Sequence, residues 1–365
     1  QGDAVEEFII QLQDCSRVSK ELEAEGWEAY LEQDPATEYL PSKSHPCLRC
    51  QRPQTPCRVG LEDEPFVWDP AAVPTPPGPP LAERPAFAHG VHVQEVFAGW
   101  GGWTAGMLHQ GFRAEEPVEV WEDPLRQTGF RPEHDLTDAA VRNRLIGLAS
   151  APPDQPVPNV WQFGAPCTTF CDFQLLNGGT RTFDQPGGTG ERPDEQQGNS
   201  FAQLAADLCL RLHSAGREFC FESSAASGRY PKIWDLPCVR KLRKRTGAMI
   251  VPMHMCAWYL TSEECRPCEY HRKPTWWLVS PGLYPWVRLF LLRKCPGVGP
   301  THIHSQLKGG SPTIPGVPRT RVAQQYSVPL CAAWGLGARR LCRLVLARVS
   351  RGQANSPGRG GLSSG

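Results

Sequence analysis

Phe97-Ala98-Gly99-Trp100-Gly101-Gly102-Trp103-Thr104-Ala105-Gly106 sits at the junction of two periodicities. Before it, His92-Val93-Gln94-Glu95-Val96-Phe97 reads as a short buried strand; after it, Thr104 to Gln110 suits a helix. Glycines between a strand and a helix let the backbone turn tightly and approach a ligand, and the helix presents unpaired N–H groups at the same place. The spacing departs from the G-x-G-x-x-G of dinucleotide-binding turns, and no hydride-transfer constellation accompanies it, which argues against a nicotinamide oxidoreductase.

Outward from this turn, strands are predicted at Val118–Trp121, Val157–Phe163, Glu218–Glu222, Met249–Met253 and Trp276–Val279, and helices over Phe201–Ser214 and Pro237–Thr246. Strands alternating with helices imply βαβ units. The fold class is therefore α/β and Rossmann-like, with a mostly parallel sheet covered on both faces. Asn177–Ser200, rich in Gly, Asp, Gln and Pro, is predicted to be a long mobile loop. Upstream, Val5, Phe8, Ile9 and Leu12, then Leu22, Trp27, Tyr30 and Leu31, recur at approximate helical spacing, and Asp69–Pro85 has the proline content of a stiff linker.

A chain of 365 residues accommodates an α/β domain of roughly 200–250 residues plus something smaller. Its 40% hydrophobic and 21% charged residues are those of a globular protein, while 35 Gly and 37 Pro exceed the usual ~7% and ~5% shares and predict abundant loops. The formal net charge of zero conceals a separation: residues 1–45 carry eleven acids against three bases, and residues 238–351 carry nineteen Lys/Arg against three Glu, a net +16. The basic half suits a phosphate backbone. Fifteen cysteines in a chain this long, with no signal peptide, point to a reducing compartment rather than a disulfide scaffold. No apolar run is long enough to span a membrane, and a start at Gln1 predicts a part of a longer polypeptide.

Two stretches carry candidate chemistry. Gly164-Ala165-Pro166-Cys167-Thr168-Thr169-Phe170-Cys171 puts a thiol directly after the apolar run Val160–Phe163, and Phe219-Cys220-Phe221-Glu222-Ser223 ends a strand in a carboxylate. With the glycine turn extended to Gly111-Phe112, Glu119-Val120-Trp121-Glu122-Asp123-Pro124, His134-Asp135-Leu136-Thr137, His271-Arg272-Lys273-Pro274 and Gln325-Tyr326-Ser327-Val328-Pro329, these stretches resemble, in order from Val91 to Gly337, the DNA cytosine-5 methyltransferases.

The resemblance implies a Rossmann-like S-adenosylmethionine-dependent methyltransferase fold. It implies cofactor binding by Phe97, Gly99, Gly101, Gly102, Trp103, Glu122, Asp135, Pro166 and Val328, and catalysis by Cys167, Glu222 and Arg272. Aligning Asp123-Pro124 with the family puts Trp121 in the slot of the ribose-binding acid, so the role passes to its neighbour Glu122. Cytosine C6 is weakly electrophilic, and a thiolate is the strongest side-chain nucleophile near neutral pH. Addition at C6 pushes electron density to N3, where an acid such as Glu222 stabilises it, and the extruded base leaves its stack because C6 is otherwise inaccessible. Thr168 replaces the usual Gln, Ser223 the usual Asn, Pro274 a second Arg, and Gln325-Tyr326 a Gly-Asn pair.

The resulting organisation is an acidic helical region with a cysteine cluster over 1–68, a Pro-rich linker over 69–90, a catalytic core over 91–280, a short target-recognition-like region over 281–320, a helix and motif completing the core over 321–350, and a disordered tail over 351–365. DNA is the expected partner and RNA the alternative, in the nucleus of a eukaryote or the cytoplasm of a bacterium. A degenerate module that keeps the fold to bind nucleic acid is the third reading, carried by the four departures. Two clusters have spacing suited to zinc: Cys47, Cys50 and Cys57, and Cys265, Cys268 and His271 with Cys256 nearby. Arg240-Lys241-Leu242-Arg243-Lys244-Arg245 is read as the polar side of a helix.

Overall fold

A computed structural model describes residues 84–338 except 263, 264, 267, 285, 286, 288–294, 301, 306, 308, 328, 329, 332, 336 and 337. The acidic region, most of the Pro-rich linker, the tail, Val328 and the Cys47, Cys50, Cys57 cluster lie outside the described residues.

Among the described residues there are ten strands: β1 (His92–Val96), β2 (Arg113–Ala114), β3 (Trp121–Asp123), β4 (Thr128–Phe130), β5 (Val160–Phe163), β6 (Glu218–Ser224), β7 (Met249–His254), β8 (Glu269–His271), β9 (Pro274–Val279) and β10 (Ile303–Ser305). Helices are α1 (Gly102–His109), α2 (Ala139–Ser150), α3 (Pro193–Ser214), α4 (Pro237–Thr246) and α5 (Arg319–Val322). Six strands form one mixed, mostly parallel sheet in the order β2-β1-β5-β6-β9-β7, with β9 antiparallel to both neighbours. Smaller pairs are the β3–β4 hairpin and the parallel β8–β10 pair.

Every residue of β1 and β5 is buried, as expected of central parallel strands covered on both faces. Alternate side chains supply two apolar layers. On one face Val93, Val160, Trp277 and Val279 meet Trp103 and Met107 of α1 and Trp334; on the other Trp161, Phe163, Phe219, Phe221 and Leu278 meet Leu145 of α2, Leu208 and Leu212 of α3 and Leu242 of α4. Gly106 is required by this packing, because a Cβ there would lie 2.5 Å from the Cys331 carbonyl oxygen.

The sequence reading of α4 holds residue for residue. Val239, Leu242 and Thr246 are buried, Arg240, Lys241, Arg243, Lys244 and Arg245 are exposed, and Gly247 at φ +68° ends the helix. Two expectations change. The loop over Asn177–Ser200 ends early, because Pro193 starts α3 with Asp194 and Glu195 in the first turn, a favourable N-terminal arrangement. What remains of it is pinned by buried Arg181, which donates to Thr169 O at 2.9 Å, Pro186 O at 2.6 Å and Asn199 Oδ1 at 2.7 Å and stacks on Phe170 at 3.8 Å. The strand expected over Val118–Trp121 shrinks to one bridge, Val118 to Val96, after which the chain turns into the β3–β4 hairpin. Among the described residues no helix is long and apolar enough to cross a membrane.

Candidate active site

Strand order reverses between β1 and β5, and in open α/β sheets ligands bind outside the carboxyl ends of the strands at that point. A cleft of about 1280 Å³ opens there, lined on one side by Phe97, Gly99 and Gly102 and on the other by Pro166 and Cys167. A pocket for one drug-sized ligand occupies roughly 300–1,000 Å³, so this cleft has room for two molecules side by side.

The glycine wall is built by a sharp exit from β1. Phe97 takes a positive φ of +58°, a costly conformation for a bulky residue of the kind that clusters at ligand sites, and Gly99 and Gly101 follow with φ of +54° and +67°. The turn is held by Glu119, whose Oε2 accepts from Gly99 N–H at 2.9 Å and whose Oε1 accepts from Trp121 N–H at 3.3 Å. Burial pushes the Glu119 carboxyl up, and the N–H groups of Gly99, Trp121 and Val120 work against that.

Glu119, and not Glu122, lines the cleft. Glu122 is exposed and packs beside Gly129 in the hairpin, away from the cleft lining. Trp103 is likewise displaced: it is fully buried beneath α1, edge-on to Trp334 at 5.8 Å. Gly101 shapes the turn without lining the cleft, whereas Asp135 does line it, with Oδ1 accepting from Thr137 N–H and Oγ1 at 2.8 Å each.

The opposite wall carries the reactive groups. Cys167 is half-buried at the head of the 3₁₀ turn Thr168–Phe170, directly beyond β5. Glu222 is buried on β6 and faces the same cleft, as does Lys273, whose Nζ lies 3.4 Å from Glu222 Oε1. Apart from that ion pair, Oε1 accepts no hydrogen bond among the described residues. Tyr326 donates its hydroxyl to Glu222 Oε2 at 3.4 Å and receives Gln162 Nε2 at 3.2 Å. Burial pushes the Cys167 thiol up, Lys273 counters this, and Glu222 reinforces it. Burial also works against the Lys273 charge, but Glu222 and Cys167 outweigh it and hold the amine above the ordinary lysine range.

Arg272, expected at the reacting centre, is exposed and does not line the cleft, and its charge acts on Cys256 instead. Successive residues of extended chain point to opposite sides, so entry of Lys273 into the cleft turns Arg272 out. Two of the sequence departures acquire an explanation here. Ser223 is buried with a hydroxyl that makes no hydrogen bond among the described residues, so it does not anchor Glu222; Tyr326, which replaces an Asn of the methyltransferases the sequence resembles, does.

The predicted zinc set Cys265, Cys268 and His271 does not converge. Cys265 Sγ lies 3.6 Å from His271 Nε2, but that nitrogen also meets Ser262 Oγ at 2.9 Å and Nδ1 meets Ser305 Oγ at 2.5 Å, while Cys268 packs with Tyr270. Burial alone would raise the Cys265 thiol, yet hydrogen bonds from His271, Thr261 and Ser262 bring it down to about 6. No protein-family model matches the chain, and no curated protein matches it in sequence.

Proposed function

We propose that the protein is an S-adenosylmethionine-dependent methyltransferase acting on C5 of cytosine in DNA through a covalent bond to Cys167. The observation that carries the reading is the joint presence of a half-buried thiol, a buried carboxylate and a buried ammonium on one wall of a cleft whose other wall is a strand-glycine-helix turn. The cofactor, when bound, supplies an electrophilic methyl group.

The residues present fit that group. Gly99 and Gly102 allow close approach, Glu119 stands 20 residues beyond Gly99 as a strand-end acid does for ribose hydroxyls, and Asp135 and Leu136 line the same wall. The antiparallel β9 departs from the six-strand order of a dinucleotide-binding sheet, which weighs against a nicotinamide ligand.

On the base, Cys167 passes its proton to the Glu222 carboxylate of the same cleft and its sulfur bonds to C6, with the Lys273 ammonium stabilising the thiolate before attack. Glu222 donates a hydrogen bond or proton at N3 as charge develops there. Once C5 has gained its methyl group it gives its proton to water, the electrons of that bond close C5=C6 as the C6–S bond breaks, and N3 returns its proton through Glu222 to the released Cys167 thiolate. Phosphate contacts from the basic half of the chain supply affinity, and a recognition region of this length implies limited sequence reading.

The test is incubation of the full chain and the labelled cofactor with duplex DNA carrying 5-fluorocytosine, from which fluorine cannot be eliminated. We expect a covalent protein–DNA complex that is absent in Cys167→Ser. An adduct on the matching RNA alone would move the activity to RNA, and cofactor binding with no adduct on either would make the chain a binding module.

A further inference from the structure

A second cluster, outside the cleft and sharing only Cys256 with the sets predicted from spacing, gathers four ligands from distant parts of the chain. Cys256 lies in the 3₁₀ turn Met255–Trp258, Cys295 in the segment before β10, and His302 and His304 on the approach to and within β10. One ligand atom from each lies within 4.8 Å of all the others. His302 Nε2 is 3.2 Å from His304 Nε2, and Cys295 Sγ is 3.1 Å and 3.6 Å from His304 and His302 Nε2 respectively. A tetrahedral zinc ion with bonds of about 2.3 Å to sulfur and about 2.05 Å to nitrogen sets ligand separations of about 3.6 Å for S···N and about 3.3 Å for N···N. The observed spacings lie within half an ångström of both.

The chemistry of the donors agrees with the geometry. Cys256 and Cys295 are free thiols rather than a disulfide. Two imidazole nitrogens facing each other beside a sulfur converge lone pairs on one point, which a cation satisfies better than one shared proton. The surroundings are those of a closed, structural site: Cys256, Cys268, Tyr270 and Cys295 form a buried cluster, His302 lies on the Tyr270 ring at 5.0 Å, and Gly297 N–H donates to Cys295 Sγ at 3.3 Å.

We propose that Cys256, Cys295, His302 and His304 bind one structural Zn²⁺ ion, which clamps the 295–305 segment against the Met255–Trp258 turn. The clamp stands behind the cleft: Tyr259, Leu260 and Tyr270 contact or follow the cluster and also line the cleft, and β8, paired with β10, leads two residues later to Lys273. With all four positions held by protein, the ion takes no part in the reaction. The proposal does not depend on methyl transfer.

The experiment measures zinc per chain by elemental mass spectrometry after purification of the full chain in zinc, with cobalt substitution as an optical probe. His302→Ala/His304→Ala is expected to lose one equivalent relative to the parent. Cys265→Ser, which alters the set suggested by spacing, is expected to lose none. The cobalt form of a chain carrying Cys47→Ser and Cys50→Ser is expected to show thiolate charge-transfer absorption and intense tetrahedral d–d bands, a readout that does not require the histidine variant to fold. Equal zinc in parent and histidine variant, loss in Cys265→Ser instead, or a cobalt form without those bands would overturn the assignment.

Discussion

The two walls of the cleft hold comparable numbers of polar groups and use them in opposite ways. On the glycine wall both oxygens of Glu119 are consumed by backbone N–H groups, and Asp135 Oδ1 accepts from its own turn. On the facing wall Glu222 Oε1 has, among the described residues, only Lys273, at ion-pair distance, and the Cys167 thiol is raised by burial. A satisfied polar group fixes shape, whereas a buried group left under-satisfied retains a drive to interact, and the proposed function assigns binding to the first wall and reaction to the second.

The sharpest attack on this contrast is at the reactive wall. Glu222→Gln is expected to lower single-turnover methyl transfer by roughly 10²–10⁴-fold while cofactor affinity, read by calorimetry, stays nearly constant. Equal losses in both would erase the distinction between the walls. Lys273→Met is expected to cost roughly 10²-fold in adduct formation. Because Lys273 opposes the upward shift of the Cys167 thiol, its removal also moves the rise of activity with pH to higher pH, and an unmoved profile would deny it the role of thiolate partner.

Glu95 offers an internal control, since it is a buried carboxylate of the same sheet that never reaches the cleft lining. It accepts from Thr104 N–H at 2.9 Å and Oγ1 at 2.7 Å, and burial pushes it to about 7 from an ordinary 4.5. The folded protein thus holds a proton that the unfolded chain has released. Its contribution to stability is present below about pH 4.5 and lost as pH rises towards 7, on the order of 3 kcal/mol in all. Urea unfolding at about pH 5 and about pH 8 is expected to show that decline, with Glu95→Gln flattening it. The smallest effect is predicted on the glycine wall: Glu119→Gln leaves one N–H without its acceptor and should weaken cofactor binding about tenfold at unchanged saturated turnover, about 1.4 kcal/mol.

The architecture is readable where one physical demand governs a stretch. The buried strands β5 and β6 announce themselves by the apolar residues Val160, Trp161, Phe163 and Phe219 to Phe221, β1 by the glycine turn that follows it, and α4 by its one-sided apolar positions. The site is readable to within a few residues, and each slip has a cause. The neighbours Asp123-Pro124 favour Glu122, although the interval of 20 residues from Gly99 singles out Glu119. Residue type favours Arg272 over Lys273, although a one-residue slip in extended chain exchanges inside for outside. The metal-type cluster escapes a local reading because Cys256 and Cys295 are brought together only by tertiary structure; His302 and His304, two apart and thus on one side of a strand, are its local signal.

The direction of β9 has a consequence for how such a site is supplied. Parallel strands deliver their carboxyl ends to the cleft, so each contributes residues at or beyond that end, such as Glu222 of β6 and Cys167 after β5. A strand running the other way brings the residues ahead of its first, and β9 pairs Glu222 with Trp277 and Ser224 with Thr275, bringing Lys273 to the Glu222 end of β6. One reversed strand therefore gives the cleft a second entrance into the chain, through which Lys273 arrives from the amino-terminal side of β9.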